Sequence, residues 1–463
     1  MILYLTIFIS YLLLMIGIGW WYSKGIKNSE DYFLSGRRFG AFPIGCTLAV
    51  SFIGGGMFMG MLGFLMKYGV VTIFIVVCMA LSFIVLGVVL GPKLRRFNIT
   101  TLPQFIGKRF NQKTRLIIAL VSLTAMLGST AVQFKASGAI LKTVFNVPYF
   151  WAVLFSAFVV VLYTFLGGFR SVVATDVIQI IIVFLGVLLA FPIVLSAAGG
   201  PGNVLATVSQ LQEGQFFNIF SQGIIFVIGM FIMICMFAVI APDNHQRIYA
   251  SRDPKAAKRG GIYGGLFYFV ILLLVFLIGI IGLFFYPTLE NPDNFFPKLA
   301  VEVLPAWLGG LLLAAVAAGI MSSADTVLVT ASSILMTDFY QAYRKRTIAE
   351  ERILKLSKLS VIGIGVVGFI IAFLAPTVAD LVIFYNSLLA SVALAPIVFG
   401  LFWKKASPKG AFYGGLAGGA VNIACFIAGL DPAKGALPSV AVACILLVLL
   451  SLKKKAKQPL ATT

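Results

Sequence analysis

Apolar stretches long enough to cross a bilayer follow one another along nearly the whole chain. A hydrocarbon core of about 30 Å needs about 20 consecutive apolar residues in a helix. The chain has thirteen such stretches, separated by short polar loops. They cover residues 2–22, 40–67, 69–91, 116–144, 148–166, 173–197, 218–241, 262–285, 305–336, 355–375, 379–402, 410–429 and 436–452. The pattern predicts an all-α membrane protein with thirteen transmembrane helices.

The first apolar stretch begins MILYLTIFIS and has no basic residue before it. A secretory signal peptide has a basic first region and a small-residue cleavage site, and this segment has neither. We therefore expect residues 2–22 to remain as a helix of the mature protein.

The amino-acid composition also indicates a membrane protein. Hydrophobic residues make up 60% of it and charged residues 11%, whereas a soluble domain carries about 25% charged residues. The five cysteines lie in apolar stretches without CxxC spacing, which is typical of small buried side chains rather than disulfides or metal sites. They are Cys46, Cys78, Cys235, Cys425 and Cys444.

The net charge of +20 is concentrated in alternate loops. The basic segments are residues 24–38, 93–115, 247–259, 344–358, 404–409 and 453–457. Because cytoplasmic loops carry the excess of Lys and Arg, this pattern predicts an N-terminus outside and a C-terminus in the cytoplasm. No basic stripe with interleaved aromatic residues lies outside the membrane, which argues against nucleic-acid binding. His245, in the turn PDNHQR, is expected to be a solvated loop residue.

A run of three glycines interrupts the second apolar stretch. Gly54, Gly55 and Gly56 each cost about 1 kcal/mol in a helix interior relative to alanine. Unwound backbone inside a membrane is tolerated where it lines a cavity, and its free carbonyls can bind a cation. Close helix packing is the alternative, since Gly56 and Gly60 have GxxxG spacing.

Residues 317–340, AAGIMSSADTVLVTASSILMTDFY, place oxygen-bearing side chains on one helix face. Ser322, Asp325, Thr326 and Ser333 recur at i, i+3, i+4 and i+11. Hydroxyls can simply bond back to the preceding turn. A carboxylate at the bilayer centre costs at least about 2.5 kcal/mol, so Asp325 is expected to face a wet cavity, a cation or a basic partner.

Two more ionisable residues lie in apolar surroundings. Asp176 comes near the cytoplasmic start of its predicted helix, where stabilising the helix dipole is the alternative to ligand binding. Lys135 is about 15 Å from either membrane face, too deep for its ammonium group to reach water easily. We expect Lys135 to pair with a carboxylate or with an anionic group of a substrate.

Several motifs resemble one transporter family. LYTFLGGFRSVVATDVIQ, residues 162–179, closely resembles the signature of the sodium:solute symporter family. Residues 317–340 and 396–419 are similar to its eighth and its tenth-to-eleventh core helices. With the glycine break, the resemblance runs from about residue 30 to 430.

The resemblance implies the leucine-transporter fold, in which two five-helix repeats have opposite topology and the first helix of each repeat is broken. The repeats would be residues 40–197 and 218–402. Residues 1–39 would add an N-terminal helix and a cytoplasmic loop. Residues 403–463 would add two C-terminal helices and a basic cytoplasmic tail.

The same resemblance implies sodium ligands. At the main site of the family these would be the carbonyls of Val50, Ile53 and Gly319 and the hydroxyls of Ser322 and Ser323. Such a site joins a helix of each repeat, so that ion binding can shift the equilibrium between outward and inward states.

Some members have a second sodium site, which would fall on Asp176, Ser322 and Thr326. This sequence departs from those members at Asp325, where they have a hydroxyl. The extra carboxylate could strengthen cation binding, pair with Lys135 or carry a proton, and the sequence leaves these alternatives open.

We therefore predict a sodium-coupled symporter that imports a small organic solute by alternating access. Na⁺ would be the coupling ion, no organic cofactor is expected, and the protein would be a monomer in the inner membrane. The candidate substrate residues are Lys135, Gln133, Gly54, Gly55, Gly56 and Asp325. Lys135 favours a carboxylate-bearing solute, as does a likeness of residues 130–149 to the pantothenate branch. The glycine break looks more like the choline branch, so a choline-like cation or proton coupling remains the alternative.

Other classes fit less well. An enzyme would need a nucleophile–base pair or a metal cluster, and one histidine with scattered carboxylates does not supply it. No GxxxxGK[ST] run supports an ATP-driven pump. A transporter-like receptor would need an output domain, and we expect none after the short tail KKKAKQPLATT.

Overall fold

A computed structural model describes residues 2–58, 60–342, 349–374, 378–430 and 432–452. Parts of two predicted basic segments, residues 343–348 and the tail from 453, lie outside these ranges. Within them the chain is helical, without a β-strand. All five cysteines are free, and Cys46, Cys78 and Cys235 are buried.

Twenty α-helices occupy most of the described residues. The first ten are α1 (Ile2–Ser23), α2 (Ser29–Leu34), α3 (Ala41–Val50), α4 (Gly55–Phe58), α5 (Gly60–Tyr68), α6 (Ile73–Val85), α7 (Gly91–Arg95), α8 (Leu102–Arg109), α9 (Gln112–Phe145) and α10 (Tyr149–Ala197). The others are α11 (Pro201–Val208), α12 (Ile224–Ile240), α13 (Pro242–Ala250), α14 (Pro254–Phe285), α15 (Phe295–Glu302), α16 (Ala306–Ile334), α17 (Glu350–Leu374), α18 (Val378–Phe402), α19 (Pro408–Ile427) and α20 (Pro432–Leu452).

Ten stretches of the described chain are helical, long and apolar enough to cross a membrane. The difference from the thirteen predicted helices has three sources. Two neighbouring predictions merge in Gly55–Arg95 and two more in Tyr149–Ala197. The third is α12, which has only 17 residues, or about 25 Å of helix. The all-helical membrane class is confirmed, while the number of crossings depends on how these long stretches bend.

The long helix α10 bends at a glycine. Gly168 has φ +51 and ψ −154, a combination that side-chain-bearing residues rarely adopt. Tyr32 packs against this glycine, and its hydroxyl donates a hydrogen bond of 3.2 Å to the carbonyl of Thr164. The bend falls between the two apolar stretches predicted at 148–166 and 173–197, and 49 helical residues are about 73 Å long, enough for two crossings.

The predicted break in the second stretch is present and begins earlier than the glycines. Helix α3 ends at Val50, and α4 starts at Gly55. Residues 51–54 between them are irregular, so Gly54 lies in the break while Gly55 and Gly56 already belong to the next helix. A side chain at Gly54 would collide with Ser323 and Gln133. The glycine is therefore required there for close packing against α9 and α16.

Helix α16 lies at the centre of the molecule. Every residue from Leu312 to Ile334 is buried, and small residues let its neighbours approach closely. A β-carbon added at Gly186 of α10, for example, would lie 2.7 Å from that of Ala315. The polar side chains of α16 therefore face protein, or a cavity enclosed by protein, rather than lipid.

Candidate functional site

The break between α3 and α4 packs directly against α16. Ser323 Oγ donates hydrogen bonds to the carbonyl of Ser51, at 2.6 Å, and to that of Gly319, at 3.0 Å. The carbonyl oxygen of Ile53 lies so close to Gly319 that no side chain would fit there. The carbonyl of Val50 accepts the N–H of Ile53 at 3.0 Å. Unwound backbone and hydroxyl-bearing helix thus meet at one point, where Ile53, Gly319 and Ser323 come together.

Asp176 connects three helices next to this junction. Its side chain is fully buried, and its two oxygens accept hydrogen bonds from Thr47 of α3 and Ser322 of α16. It lies eight residues beyond the bend at Gly168, well inside the second half of α10. Asp176 is therefore a bridge between α3, α10 and α16 rather than a residue of the first helical turn.

Arg247 is a central residue of the site that the sequence reasoning placed in a cytoplasmic loop. Its guanidinium is fully buried and donates to Thr47 Oγ1 at 2.9 Å, to Thr326 Oγ1 at 2.6 Å and to Ser51 Oγ. Its Nη1 lies 3.4 Å from a carboxylate oxygen of Asp243. Arg247 thereby fastens α13 to α3 and α16.

The prediction for His245 was wrong. The side chain is fully buried, and its Nε2 lies 2.6 Å from the carbonyl of Val239. Pro242 starts the short helix α13, which turns the polar sequence back into the protein. There its side chains find partners within the fold instead of water. The i, i+4 spacing of Asp243 and Arg247, typical of a helical ion pair, was the signal available in the sequence.

The candidates for a second ion site are only partly brought together. Asp176 and Ser322 are bonded to each other, whereas Thr326 accepts its hydrogen bond from Arg247. Thr47 lies between the two charges, because it accepts from Arg247 and donates to Asp176. The guanidinium of Arg247 therefore binds the same Thr326 hydroxyl that was predicted to bind an ion.

Asp325 faces away from the junction, towards α10. Its Oδ2 accepts a hydrogen bond of 2.9 Å from the hydroxyl of Tyr163, which also donates to the carbonyl of Met321 at 3.2 Å. Its Oδ1 is buried and has no hydrogen-bond partner among the described residues. Sequence reasoning missed Tyr163, which lies inside the family-like motif at 162–179. Lys135 is half-buried on α9.

A cavity of about 210 Å³ adjoins the break. Ser51, Gly54, Gly56, Gln133 and Ser323 contribute to its wall, so it reaches the junction with α16. Gln133 also fixes the start of α4, since its Oε1 accepts the N–H of Gly55 at 3.0 Å. Lys135 and Asp325 are not among the described lining residues.

The remaining wall of the cavity is mostly apolar and aromatic, with a few polar groups. The aromatic residues are Phe52, Phe64, Tyr68, Phe226, Phe237 and Tyr385. The polar residues besides those at the break are Ser129, Asp243 and Asn386. An apolar chamber with few, placed polar groups is typical of a binding site for a small organic molecule.

Known proteins resemble this chain both in sequence and in fold. A sequence profile of the sodium:solute symporter family matches residues 32–418. The sodium/pantothenate symporter of Escherichia coli (strain K12) is 29% identical over 428 residues, which are 89% of this chain and 88% of that protein. The high-affinity proline transporter of Bacillus subtilis (strain 168) is 27% identical, covering 90% of this chain and 91% of its own.

Among solved structures, a substrate-bound, outward-open Na⁺-coupled sialic acid symporter superimposes with a TM-score of 0.88. The alignment covers 99% of both chains at 20% sequence identity, which shows a common fold. The profile match extends over most of the chain and includes the broken helix, the bend at Gly168 and α16. This chain therefore belongs to the sodium:solute symporter family.

Proposed function

We propose that this protein is a sodium-coupled symporter that imports a small organic solute by alternating access. The observation that carries the proposal is the contact of the unwound residues 51–54 with Gly319 and Ser323 of α16. Oxygen atoms from two helices converge there beside a cavity. An ion bound between the two helices would stabilise one relative arrangement of them and thereby couple its own gradient to the solute.

The main sodium ion would be held by the carbonyls of Val50, Ile53 and Gly319 and the hydroxyls of Ser322 and Ser323. Three of these residues already meet at the junction, and Ser322 lies one position away on α16. Oxygen ligands suit a hard cation. Family membership supports Na⁺ as that cation.

A second cation would use Asp176, Ser322 and Thr326. The buried charged side chains described around the junction are the carboxylates of Asp176, Asp243 and Asp325 and the guanidinium of Arg247. Uncompensated buried charge is costly, so this excess of negative charge supports two bound monovalent cations, or one cation and a proton on Asp325. One lone pair of the Thr326 hydroxyl already accepts from Arg247, and its second lone pair would bind the ion.

The solute would bind in the cavity beside the break, with Gln133, Gly54, Gly55 and Gly56 on one side. We place a carboxylate-bearing solute first, because pantothenate, proline and sialic acid, named for three similar proteins, all carry a carboxylate. Lys135 was the sequence argument for this class. Since it lies outside the described lining, Gln133 is now the better candidate for the first polar contact.

A choline-like cation is the second candidate. The cavity wall supports it, because it combines several aromatic faces with the carboxylate of Asp243, and a cation is attracted to both. A thermal-shift screen of carboxylates, amino acids, sugars and quaternary amines, each with Na⁺ and with K⁺, separates the two classes.

The decisive experiment is uptake into proteoliposomes without ATP. We expect an inward sodium gradient to drive accumulation of the solute that the screen identifies, and a K⁺ gradient of the same size to be ineffective. A proton gradient without sodium is the third arm. If the solute accumulates only with the proton gradient, the protein is coupled to protons and not to sodium.

For the architecture we propose thirteen crossings, with the inverted repeats at 40–197 and 218–402, the N-terminus outside and a monomeric assembly. The bend at Gly168 and the broken helix at residues 51–54 support it, as does the alternation of basic loops. Labelling of single cysteines introduced at Lys255 and at Glu213 from the outside of intact cells tests the orientation. Only the second position should react.

A further inference from the structure

A second large cavity lies at the end of α1 and shares no described lining residue with the cavity beside the break. It has a volume of about 570 Å³. One wall is formed by residues 22–43, which run from the end of α1 to the start of α3, and the other by the part of α10 that follows the bend. Residues of that part of α10 at the wall are Arg170, Val173, Ala174, Val177 and Ile178.

The rim of this crevice is basic. Lys27, Arg38 and Arg170 line it, and none of them forms an ion pair within the described part of the chain. The one acidic residue of the lining is Asp31, whose carboxylate accepts the backbone N–H of Lys27 at 3.3 Å. Three basic side chains against one carboxylate leave the described lining of the crevice with an excess of positive charge.

Arg170 is held in place by its surroundings. Its guanidinium lies 5.5 Å from the ring centre of Tyr22 and packs against the backbone at Gly25, where any side chain would collide with Nη1. Both contacts come from residues 22–25 at the end of α1, and they hold the guanidinium beside the crevice.

The crevice lies at the boundary between membrane and water. Trp20 and Trp21, in the last turn of α1, are 54% and 68% exposed, and the ammonium group of Lys24 lies 3.8 Å from the ring centre of Trp20. Exposed tryptophan and lysine at a helix end are typical of the headgroup region. The deeper wall of Val173, Val177 and Ile178 is apolar and belongs to a membrane-spanning stretch.

We propose that this crevice binds an anionic phospholipid, with its phosphate between Arg38, Arg170 and Lys27 and an acyl chain along the apolar side of α10. Basic pockets between transmembrane helices suit such headgroups, and guanidinium groups suit phosphate oxygens. A free phosphate would satisfy the cations but would leave the apolar wall without a partner. By joining the segment after α1 to α10, the lipid would stabilise the packing around the bend at Gly168.

The test is a melting curve of the purified protein in a neutral detergent, with phosphatidylglycerol, phosphatidylcholine or inorganic phosphate added. It needs no transport assay and is therefore independent of the proposed function. We expect phosphatidylglycerol to raise the melting temperature and the other two additions to have little effect. If inorganic phosphate raised the melting temperature to the same extent, the crevice would be a site for a soluble anion and not for a lipid.

The variant Lys27→Gln/Arg38→Gln/Arg170→Gln should lose most of this stabilisation. Each basic side chain near an anionic lipid surface is worth about fivefold in affinity, so the triple variant should bind on the order of a hundredfold more weakly. The control is Lys255→Gln/Lys258→Gln/Lys405→Gln, which removes three exposed charges outside the crevice and should respond like the parent. Equal responses of the two triple variants would show that the lipid binds elsewhere.

A second variant guards against a folding defect of the triple variant. Gly25→Ala keeps every charge but places a methyl group where Arg170 Nη1 now packs. It should weaken the response to phosphatidylglycerol, and Gly17→Ala, which has open space around the added methyl group, should not. Full responses of both Gly25→Ala and the single variant Arg170→Gln would overturn the assignment of Arg170 to the headgroup.

Discussion

The hydroxyl of Tyr163 donates a hydrogen bond of 2.9 Å to Asp325, and both side chains are fully buried. Tyr163 precedes the bend in α10, and Asp325 lies on the central helix α16. The other oxygen of Asp325 has no hydrogen-bond partner among the described residues. This bond is the hydrogen bond that the structure describes between the Asp325 carboxylate and α10. It lowers the cost of burying a carboxyl group in the middle of a membrane-spanning helix.

Tyr163→Phe should destabilise the protein by about 1–3 kcal/mol, because a buried acceptor then loses its donor. The measurement is thermal unfolding in detergent. Tyr268→Phe is the matched control, since the Tyr268 hydroxyl is buried without a partner among the described residues. Equal losses in the two variants would show that the Tyr163–Asp325 bond contributes nothing measurable.

Lys135→Ala and Asp325→Ala should have additive effects on the melting temperature. Residues that share an interaction show a coupling energy, whereas independent ones add within about 0.3–0.5 kcal/mol. Asp325 keeps its hydrogen bond from Tyr163 when Lys135 is truncated, so we expect no recovery in the double variant. A double variant that melts higher than either single variant would instead establish a pair between Lys135 and Asp325.

Ser322→Ala and Ser323→Ala should each raise the sodium concentration for half-maximal uptake, on the order of tenfold, because each removes one ligand oxygen. Ser332→Ala serves as the control. Its hydroxyl is buried on the same helix and donates to the carbonyl of Ser357 at 2.9 Å, away from the junction. If all three variants kept the sodium dependence of the parent, the main ion site would be elsewhere.

Asp176→Asn should lower the number of sodium ions coupled to each solute. A neutral amide is a weaker cation ligand than a carboxylate, and this substitution also reduces the negative charge of the buried network. The reversal potential of reconstituted protein reports the stoichiometry directly. Asp338→Asn, which removes a buried carboxylate paired with Arg115 outside this network, should leave it unchanged. The same reversal potential in Asp176→Asn and the parent would restrict Asp176 to a structural role.

Arg247→Gln should destabilise the protein by about 3–5 kcal/mol, because it leaves the buried carboxylate of Asp243 without its cation. It should also favour the conformation in which α13 separates from α3 and α16, measured as faster modification of a cysteine introduced at Ser51. Adding Asp243→Asn should recover part of the stability.

The exposed pair Arg252 and Asp253 provides the comparison for that experiment. Their side chains are 67% and 43% exposed, and such pairs contribute about 0–1 kcal/mol. Arg252→Gln should therefore melt close to the parent. Equal destabilisation by Arg247→Gln and Arg252→Gln would contradict the idea that Arg247 fastens the three helices.

Local chemistry allowed several features to be predicted from the sequence. Long apolar stretches specify membrane helices because nothing else satisfies backbone polar groups in lipid. The glycines at 54–56 predicted the broken helix, and the motif at 162–179 predicted the family. Ser322, Asp325 and Thr326 could be assigned to one polar helix face by spacing alone, whereas Ser323 was implied by the family resemblance.

The ends of each membrane crossing were harder to predict from the sequence, because hydropathy shows how apolar a stretch is but not where it bends. The bend at Gly168 results from a positive φ and from the close approach of Tyr32, a residue more than 130 positions earlier in the sequence. Break residues Ser51 and Phe52 have no helix-breaking character of their own. In the irregular segment the carbonyl of Ser51 accepts a hydrogen bond from Ser323 of α16, a partner that local sequence does not reveal.

Only the tertiary structure decided the partners of the buried charges. These partners are far apart in the sequence. Arg247, for example, contacts Thr47 and Thr326, which are about 200 and 79 residues away. Polar residues beside an apolar stretch are usually expected in a solvated loop, yet α13 buries Asp243, His245 and Arg247. Asp243 pairs with Arg247 within α13. Arg247 also donates to α3 and α16, and His245 contacts the carbonyl of Val239 on α12. The amino-acid sequence thus determined which groups this membrane protein contains, and long-range packing determined which of them meet.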